Sequence, residues 1–100
     1  MPASSHDGHL TTTGHLCDTV CGTIASSQSK VFIEGILGLV QGDPTAPHTI
    51  LSGDSCIPHS AQVNVGSGKV FYEGIPSARI GDSTDGGAMI QGSSKVFEGG

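Results

Sequence analysis

The sequence is poor in charged residues, and this shortage excludes several classes of partner. Charged residues make up 13% of the 100-residue chain, only four of them are basic, and the net charge is −5. A nucleic-acid-binding surface needs clustered Lys and Arg, whereas Lys30, Lys69, Arg79 and Lys95 are dispersed along the chain. There is also no basic amphipathic stretch that would bind a membrane surface. We therefore predict no nucleic-acid partner and no stable membrane association.

Long apolar runs and a secretory signal are also missing. The longest apolar run, residues 36–40, is far too short to cross a bilayer. The first seven residues do not show a positive region followed by an apolar one, so no ordinary secretory signal is predicted. We expect synthesis in the cytoplasm, with any export using another route.

Cysteine is scarce and odd in number, which excludes a complete disulfide framework within the chain. The three cysteines are Cys17, Cys21 and Cys56. A Cys17–Cys21 bridge is conceivable, but cytoplasmic synthesis favours reduced thiols. The thin core expected of so small a chain suggests that it depends on a metal, a covalent link or a partner for stability.

An internal repeat is the most informative feature that is present. The segments 28–43 and 67–82 match without a gap at 8 of 16 positions, sharing Lys-Val-Phe, Glu-Gly-Ile and a closing Gly-Asp. A third, truncated copy covers residues 93–100, and all four aromatic residues lie inside the copies. Repeats of this kind indicate one supersecondary unit used three times around a shared core.

The repeat units have the composition of short β-hairpins. In the second copy, residues 62–65 alternate polar and apolar side chains and the Gly66-Ser-Gly68 turn precedes Lys69–Tyr72, a pattern typical of a hairpin. Glu34-Gly35 and Glu73-Gly74 then predict a second tight turn before the next short strand. We predict an all-β fold, a single domain over residues 1–100 with an irregular segment 1–12, and pseudo-threefold symmetry.

All histidines and cysteines lie between the repeat cores. They are His6, His9, His15, Cys17, Cys21, His48, Cys56 and His59. Such ligands gathered in the connections favour a site for zinc, or for iron. Cys17 and Cys56 each stand 13 residues before the repeat lysine, so the two connections are related. The alternative interpretation is that these are ordinary solvated loop histidines, since the spacing matches no zinc finger.

The second copy contains Pro76-Ser-Ala-Arg79 followed by Ile80-Gly-Asp82, and here the chain resembles the PAAR-repeat proteins. The first copy has Leu37-Gly-Leu-Val40 in that place. Residues 13–17, the segment from Gly42-Asp43 to His48, residues 56–59 and the terminal copy are also similar to elements of that family. The resemblance covers residues 13–100.

The resemblance implies a small conical domain with a metal near its apex, held by three histidines and one cysteine. His15, His48 and His59 match the histidine positions. The family's cysteine often follows the last Gly-Asp, where this chain reads Ser83-Thr-Asp-Gly-Gly87. We therefore expect Cys56 as the fourth ligand, with Cys17, Cys21 and Asp85 as alternatives.

The resemblance also implies a structural function. Proteins of this family cap the trimeric β-helical spike of type VI secretion systems and contractile phage tails, and effector proteins are further candidate partners. The expected location is thus a phage tail, or outside the cell after delivery by a type VI-like machine. The chain is predicted not to be an enzyme. The alternatives are a metal-dependent hydrolase using Asp18 or Asp54 as general base, a Cys56–His59 nucleophile pair, or a free-standing β-repeat binding module.

Overall fold

The computed structural model describes residues 2–97, and the predicted all-β class is confirmed. The strands are β1 (Thr11–Thr12), β2 (Val20–Cys21), β3 (Phe32–Ile33), β4 (Ile36–Leu37), β5 (His48–Ser52), β6 (Ser55–His59), β7 (Phe71–Tyr72), β8 (Ile75–Pro76), β9 (Ser83–Thr84) and β10 (Gly87–Ala88). They pair as five antiparallel hairpins or ribbons. The body is elongated, with principal extents of 42 × 24 × 21 Å. Within residues 2–97 there is no helix of a length and hydropathy that could cross a bilayer.

The predicted tight turns at Glu-Gly form the repeat hairpins. β3 pairs with β4 across Glu34-Gly35, and β7 pairs with β8 across Glu73-Gly74. The φ angles are +53° at both glutamates and +81° at both glycines, a pair of left-handed residues that suits a two-residue hairpin loop. Lys-Val-Phe and the following strand are thus two arms of one hairpin in each complete copy.

The expected pairing of residues 62–65 with 69–72 is wrong. Gln62 pairs with Pro44 and Val63 with Thr84 instead. The Ser67 hydroxyl accepts the backbone N–H groups of Lys69 and Val70 at 3.0 and 2.9 Å. These local bonds curl the chain into a side-chain-closed turn, a geometry that competes with a hairpin. The oxygens of Gln28 and Ser93 do the same in the other two copies.

The N-terminal segment completes the third unit, which corrects the expectation that residues 1–12 are irregular. Ala3 pairs with Phe97, just as Phe71 pairs with Pro76 in the second unit. Ser4 and Ser5 are fully buried. The composition of this segment gave no strand pattern because its partners belong to units far away in sequence. Residues 98–100, the end of the predicted third copy, lie outside the described residues.

Three equivalent segments close a backbone ring. The Ser5 N–H donates to Ala78 O at 3.0 Å, Ala78 N–H to Leu39 O at 2.8 Å, and Leu39 N–H to Ser5 O at 3.0 Å. All three residues are fully buried. A cyclic set of this kind gives each unit the same environment, in agreement with pseudo-threefold symmetry.

The apolar core consists of two small buried clusters. Ile33, Val40 and Tyr72 form the first, against which the valines of all three Lys-Val-Phe segments pack. Leu39, Val63, Ala78 and Met89 form the second. Leu39 and Val40 are adjacent in sequence, so the two clusters lie next to each other. Val63 of the second cluster pairs with Thr84, which directly precedes Asp85. The apolar layers thus connect the repeat hairpins to the β9–β10 turn.

The β5–β6 hairpin is the longest sheet element. Its five pairs run from His48↔His59 to Ser52↔Ser55, with the connection at Gly53-Asp54. Residues 51–58 are all exposed, so this hairpin contributes little to the core. Sequence patterns had indicated only a variable connection here.

Candidate metal centre

Four side chains from three separate segments converge on one point. His15, His48, His59 and Asp85 each offer a ligand atom, and these atoms all lie within 4.8 Å of one another. Asp85 Oδ2 is 2.8 Å from His15 Nε2 and 3.0 Å from His48 Nε2, and Asp85 Oδ1 is 3.4 Å from His59 Nε2. The Nε2 atoms of His15 and His48 are 3.3 Å apart.

Hairpin geometry places three of these four residues. His48 and His59 face each other as the last pair of the β5–β6 hairpin, at its core end. Asp85 lies in the β9–β10 turn with φ of +56°, followed by Gly86. The three imidazole rings stack or meet edge-to-face, with centroids 5.0 to 5.2 Å apart.

Glycines bring the segment of the fourth residue, His15, close enough. Gly14 has φ of +76°, and a Cβ there would collide with the backbone of Gly86. The Gly86 N–H donates to Thr13 O at 2.8 Å. Because only glycine tolerates such an approach of two backbones, Gly14 and Gly86 allow His15 to reach Asp85.

Hydrogen bonds to carbonyl groups orient two of the rings. His48 Nδ1 lies 2.9 Å from Ala46 O and His15 Nδ1 lies 3.3 Å from Leu16 O. A carbonyl oxygen only accepts, so each Nδ1 carries the hydrogen and each neutral ring turns a lone pair on Nε2 toward the centre. Metal-binding histidines are commonly held by such a bond to the other ring nitrogen.

The converging lone pairs call for positive charge at the centre. In the neutral tautomers, His15 and His48 would both direct an acceptor at the Asp85 carboxylate. Protonated rings or a bound cation would remove this repulsion. When the rings are protonated, their Nε2–H groups donate to Asp85; burial opposes ionisation of that carboxyl, but these hydrogen bonds from His15, His48 and His59 outweigh it and lower its pKa. The carboxylate is thus held in the form that binds a metal.

The donor set fits zinc. Zinc takes nitrogen and oxygen ligands at about 2.0–2.2 Å in a tetrahedron, which requires ligand atoms about 3.3 Å apart. The 3.3 Å between His15 Nε2 and His48 Nε2 matches that spacing, and the Asp85 distances are close to it. Iron also accepts imidazole and carboxylate ligands.

The structure brings together three of the four residues predicted from the sequence and leaves out the fourth. Cys56 does not join His15, His48 and His59; Asp85, one of the alternatives, takes the fourth place. Side chains alternate along a strand, so Cys56, three residues before His59 on β6, points to the other face. The signal for Asp85 was its position after Gly81-Asp82, where the related family often has its cysteine.

The cysteines are arranged differently from the expectation. Cys56 forms a disulfide with Cys17, and Cys21 is a buried free thiol. The conceivable Cys17–Cys21 bridge is therefore wrong, and in this structure Cys21 alone is a reduced thiol. In this form Cys56 is not a nucleophile for His59. Cys17 and Cys56 pair because residues 16–18 run beside β5, with Cys17 bridged to Ile50 and Leu51 opposite Cys56.

Comparison with known proteins gives one family. A protein-family profile described as PAAR motif matches residues 13–92. A search of curated proteins gives no match to the chain. The matched range contains both complete repeat units and all four members of the metal-ligand group. The chain therefore belongs to the PAAR motif family, a family of spike-tip proteins.

Proposed function

We propose that this protein is a metal-stabilised tip that caps the trimeric β-helical spike of a contractile injection machine, either a type VI secretion system or a phage tail. The observation that carries this proposal is the closed ring of three equivalent backbone segments through Ser5, Leu39 and Ala78. A chain folded with this symmetry can make the same contact with each of three identical subunits. A spike with threefold symmetry is the partner that such a base fits.

The repeat hairpins supply the docking surface. Phe32, Phe71 and Phe97 are 55%, 52% and 51% exposed, whereas the valine before each of them packs inward. Three phenylalanines with nearly equal exposure at equivalent positions form a repeated apolar contact. A permanent contact of this kind should bury well over about 1,000 Å² in total.

Contacts between units hold this base in shape. Glu73 accepts a hydrogen bond from Ser29 N–H at 2.8 Å, and Glu34 accepts one from the Ser93 hydroxyl at 2.6 Å. Glu34 and Glu73 therefore each join their own unit to another. These glutamates hold the docking end of the protein in shape, and neither is available as a general base beside the metal.

Zinc, with iron as the alternative, would tie the opposite part of the protein. Four protein ligands leave no coordination position for a substrate water, which is typical of a structural ion. When bound, the ion supplies rigid links between the His15 segment, the β5–β6 hairpin and the β9–β10 turn. Rigidity of this kind suits a tip that pierces an envelope. The protein would leave the cell with the spike, or be part of the tail, and could carry separate effector proteins.

The hydrolase alternative is less well supported. It requires a base beside the ion, but Asp18 accepts the backbone N–H and hydroxyl of Thr49 at 2.8 and 2.9 Å. Asp54 lies at the Gly53-Asp54 connection, the other end of the hairpin from His48 and His59. Metal-dependent hydrolysis by the isolated protein would overturn the structural proposal.

Binding to the spike tests the proposal and separates it from a free-standing module. The triple variant Phe32→Ser, Phe71→Ser and Phe97→Ser should abolish binding of one protein to one spike trimer, measured by calorimetry with the spike of the same genome. Because these side chains are half exposed, the variant should keep the circular dichroism spectrum of the native fold.

The matched control is the triple variant Leu16→Ser, Val20→Ser and Val65→Ser, which removes similarly exposed apolar side chains outside the repeat hairpins. It should bind the trimer like the unmodified protein. Unchanged binding of the Phe variant, or a ratio of three proteins per trimer, would contradict docking through a threefold base.

A further inference from the structure

The Cys17–Cys56 disulfide lies where a spike tip needs rigidity, and neither of its cysteines is one of the metal ligands. It spans 39 residues of sequence and joins the His15 segment to the β5–β6 hairpin, with the two Cα atoms 6.0 Å apart. His15 lies two residues before one end, and His59 three residues after the other. The cross-link therefore ties together two of the three segments that hold the metal-ligand group.

The hairpin has few other attachments beyond its core end. Leu51 and Ile57 are 42% and 43% exposed, and neither belongs to a buried cluster. The non-covalent links are backbone bonds such as Leu51 N–H to Leu16 O at 3.2 Å, and the exposed contacts of Asp18 with Thr49. A two-stranded hairpin without a packed face is marginally stable in water. The disulfide is its strongest anchor away from the metal-ligand group.

The backbone conformation of Cys17 is a second, independent indication that this segment is held in place by its surroundings. Its φ is +78°, whereas the other non-glycine residues with positive φ all lie in tight turns directly before a glycine. A left-handed conformation at a residue with a Cβ is unfavourable and persists where the surroundings impose it. The covalent bond to Cys56, together with the backbone bonds of Leu16 and Asp18 to β5, provides that constraint.

The disulfide is also accessible to small thiols, and it is specific to Cys17 and Cys56. Cys56 is exposed and Cys17 is half-buried, so small thiols can reach the sulfurs. Cys21, the remaining thiol, is buried on β2 opposite Thr11. Cys21 is therefore not placed to replace Cys17 or Cys56 in the disulfide, nor to attack that disulfide and open it.

We propose that Cys17 and Cys56 form a reversible thiol–disulfide site that is open in the reducing cytoplasm and closes when the protein meets an oxidised low-molecular-weight disulfide of the glutathione class. One protein thiol attacks that disulfide and releases one molecule of the small thiol. The second protein thiol then displaces the other molecule and forms the Cys17–Cys56 bond. Two electrons pass from the protein sulfurs to the oxidant, and two protons leave with the released thiols.

Closure of the bond fixes the β5–β6 hairpin against the His15 segment. The chain can therefore be made and assembled with reduced thiols and be stiffened after it leaves the cytoplasm, where disulfides persist. The effect on the hairpin is independent of the ion. The further effect, slower loss of the ion, rests on the proposed metal-stabilised tip.

Glutathione buffers of graded redox potential test the proposal on the full chain. Alkylation after denaturation should label three thiols in the reduced protein and only Cys21 in the oxidised protein, read by peptide mass spectrometry. Hydrogen exchange at amides of residues 49–58 should be faster by about tenfold or more after reduction. In zinc-loaded protein, release of zinc to a coloured chelator should accelerate on reduction.

Two variants complete the design. The double variant Cys17→Ser, Cys56→Ser should behave like the reduced protein in every buffer, and Cys21→Ser should respond to redox potential like the unmodified protein. Equal amide exchange in both redox states, or labelling of Cys17 and Cys56 in the oxidised protein, would overturn the proposal. Slower zinc release on reduction would also overturn it, because the thiols would then act as ligands.

The metal-free protein separates the two proposals. If zinc fails to bind but amide exchange still depends on redox potential, the metal-stabilised tip is wrong and the thiol–disulfide site stands. If zinc binds equally tightly and exchange is unaffected by reduction, the thiol–disulfide site is wrong and the metal-stabilised tip stands.

Discussion

Single polar residues hold the turns of this fold in place of a large core. Asp43 is fully buried, and its carboxylate accepts the backbone N–H groups of Val40, Ser26 and Ser27 at 2.8 to 3.1 Å. Asp82 accepts the Arg79 N–H at 2.7 Å in the second unit, and His9 Nδ1 accepts the His6 N–H at 2.9 Å in the third. The Gly-Asp ending of each repeat is therefore a structural device, with histidine replacing aspartate in the third unit.

Removing the Asp43 carboxylate should destabilise the protein strongly. Asp43→Ala leaves the Val40 N–H without an acceptor in a buried place, at a cost of about 1–3 kcal/mol for an unsatisfied buried group. The N–H groups of Ser26 and Ser27 also lose their acceptor, but these residues are exposed and can bond to water. We expect the free energy of unfolding to fall by about 2 kcal/mol or more, measured by urea denaturation.

Asp43→Asn is the matched control because its amide oxygen can still accept two of these bonds. It should lose less than half as much stability. Equal losses for the two variants would show that the charge, and not the number of accepted hydrogen bonds, determines the effect.

At the scale of elements, the third repeat unit is divided between the two ends of the chain. Residues 93–97 supply one arm and residues 3–9 supply the other, joined by the Ala3↔Phe97 pair. The hairpins of the other two units are continuous across their Glu-Gly turns. The third unit therefore differs from the other two in how the chain connects its arms, and the packing of the three units is the same.

Circular permutation tests this equivalence. If a short Gly/Ser linker joins the original ends, opening the chain between Glu73 and Gly74 should give a folded protein with a melting temperature within about 10 °C of the original. The new break occupies in the second unit the place that the original break occupies in the third.

The control permutant opens the same linked chain between Leu39 and Val40, inside the buried backbone ring. It should unfold at a much lower temperature or fail to fold. Similar melting temperatures for the two permutants would mean that the ring contributes little to stability.

Sequence reasoning reached the elements that repeat and missed those that depend on distant partners. The Glu34-Gly35 and Glu73-Gly74 turns were predictable because two left-handed residues have a clear signature. The strand arms at residues 3–9 were not, since Ser4 and Ser5 are buried only through contacts with the other two units. The local side-chain bond at Ser67, rather than any propensity, decides against the expected hairpin there.

The metal-ligand group shows the same distinction between features with a sequence signature and features that depend on distant partners. The histidines stood out by their exclusion from the repeat cores, and the structure brings His15, His48 and His59 together. Cys56 was preferred over Asp85 on residue type alone. Its exclusion follows from strand alternation in a hairpin whose register the sequence did not reveal, and Asp85 reaches the site through the close approach of Gly14 to Gly86.

At the scale of the whole molecule, a small chain gains rigidity from closure and cross-links. The backbone ring closes the three units, and the Cys17–Cys56 bond ties the hairpin to the His15 segment. An ion on the four converging side chains would join that hairpin to the β9–β10 turn. In the proposed function, one end of the protein would present a threefold contact to the spike. The protein as a whole is 42 Å in its longest dimension.

X-ray absorption at the edge of the bound metal, together with its quantity in the purified full chain, tests the central claim most directly. The account predicts close to one equivalent of zinc or iron with three imidazole nitrogens and one carboxylate oxygen at about 2.0–2.2 Å. It predicts no sulfur in the coordination shell, because Cys56 is bonded to Cys17. A sulfur ligand near about 2.3 Å, or far less than one equivalent of any transition metal in folded protein, would contradict a tip held by His15, His48, His59 and Asp85.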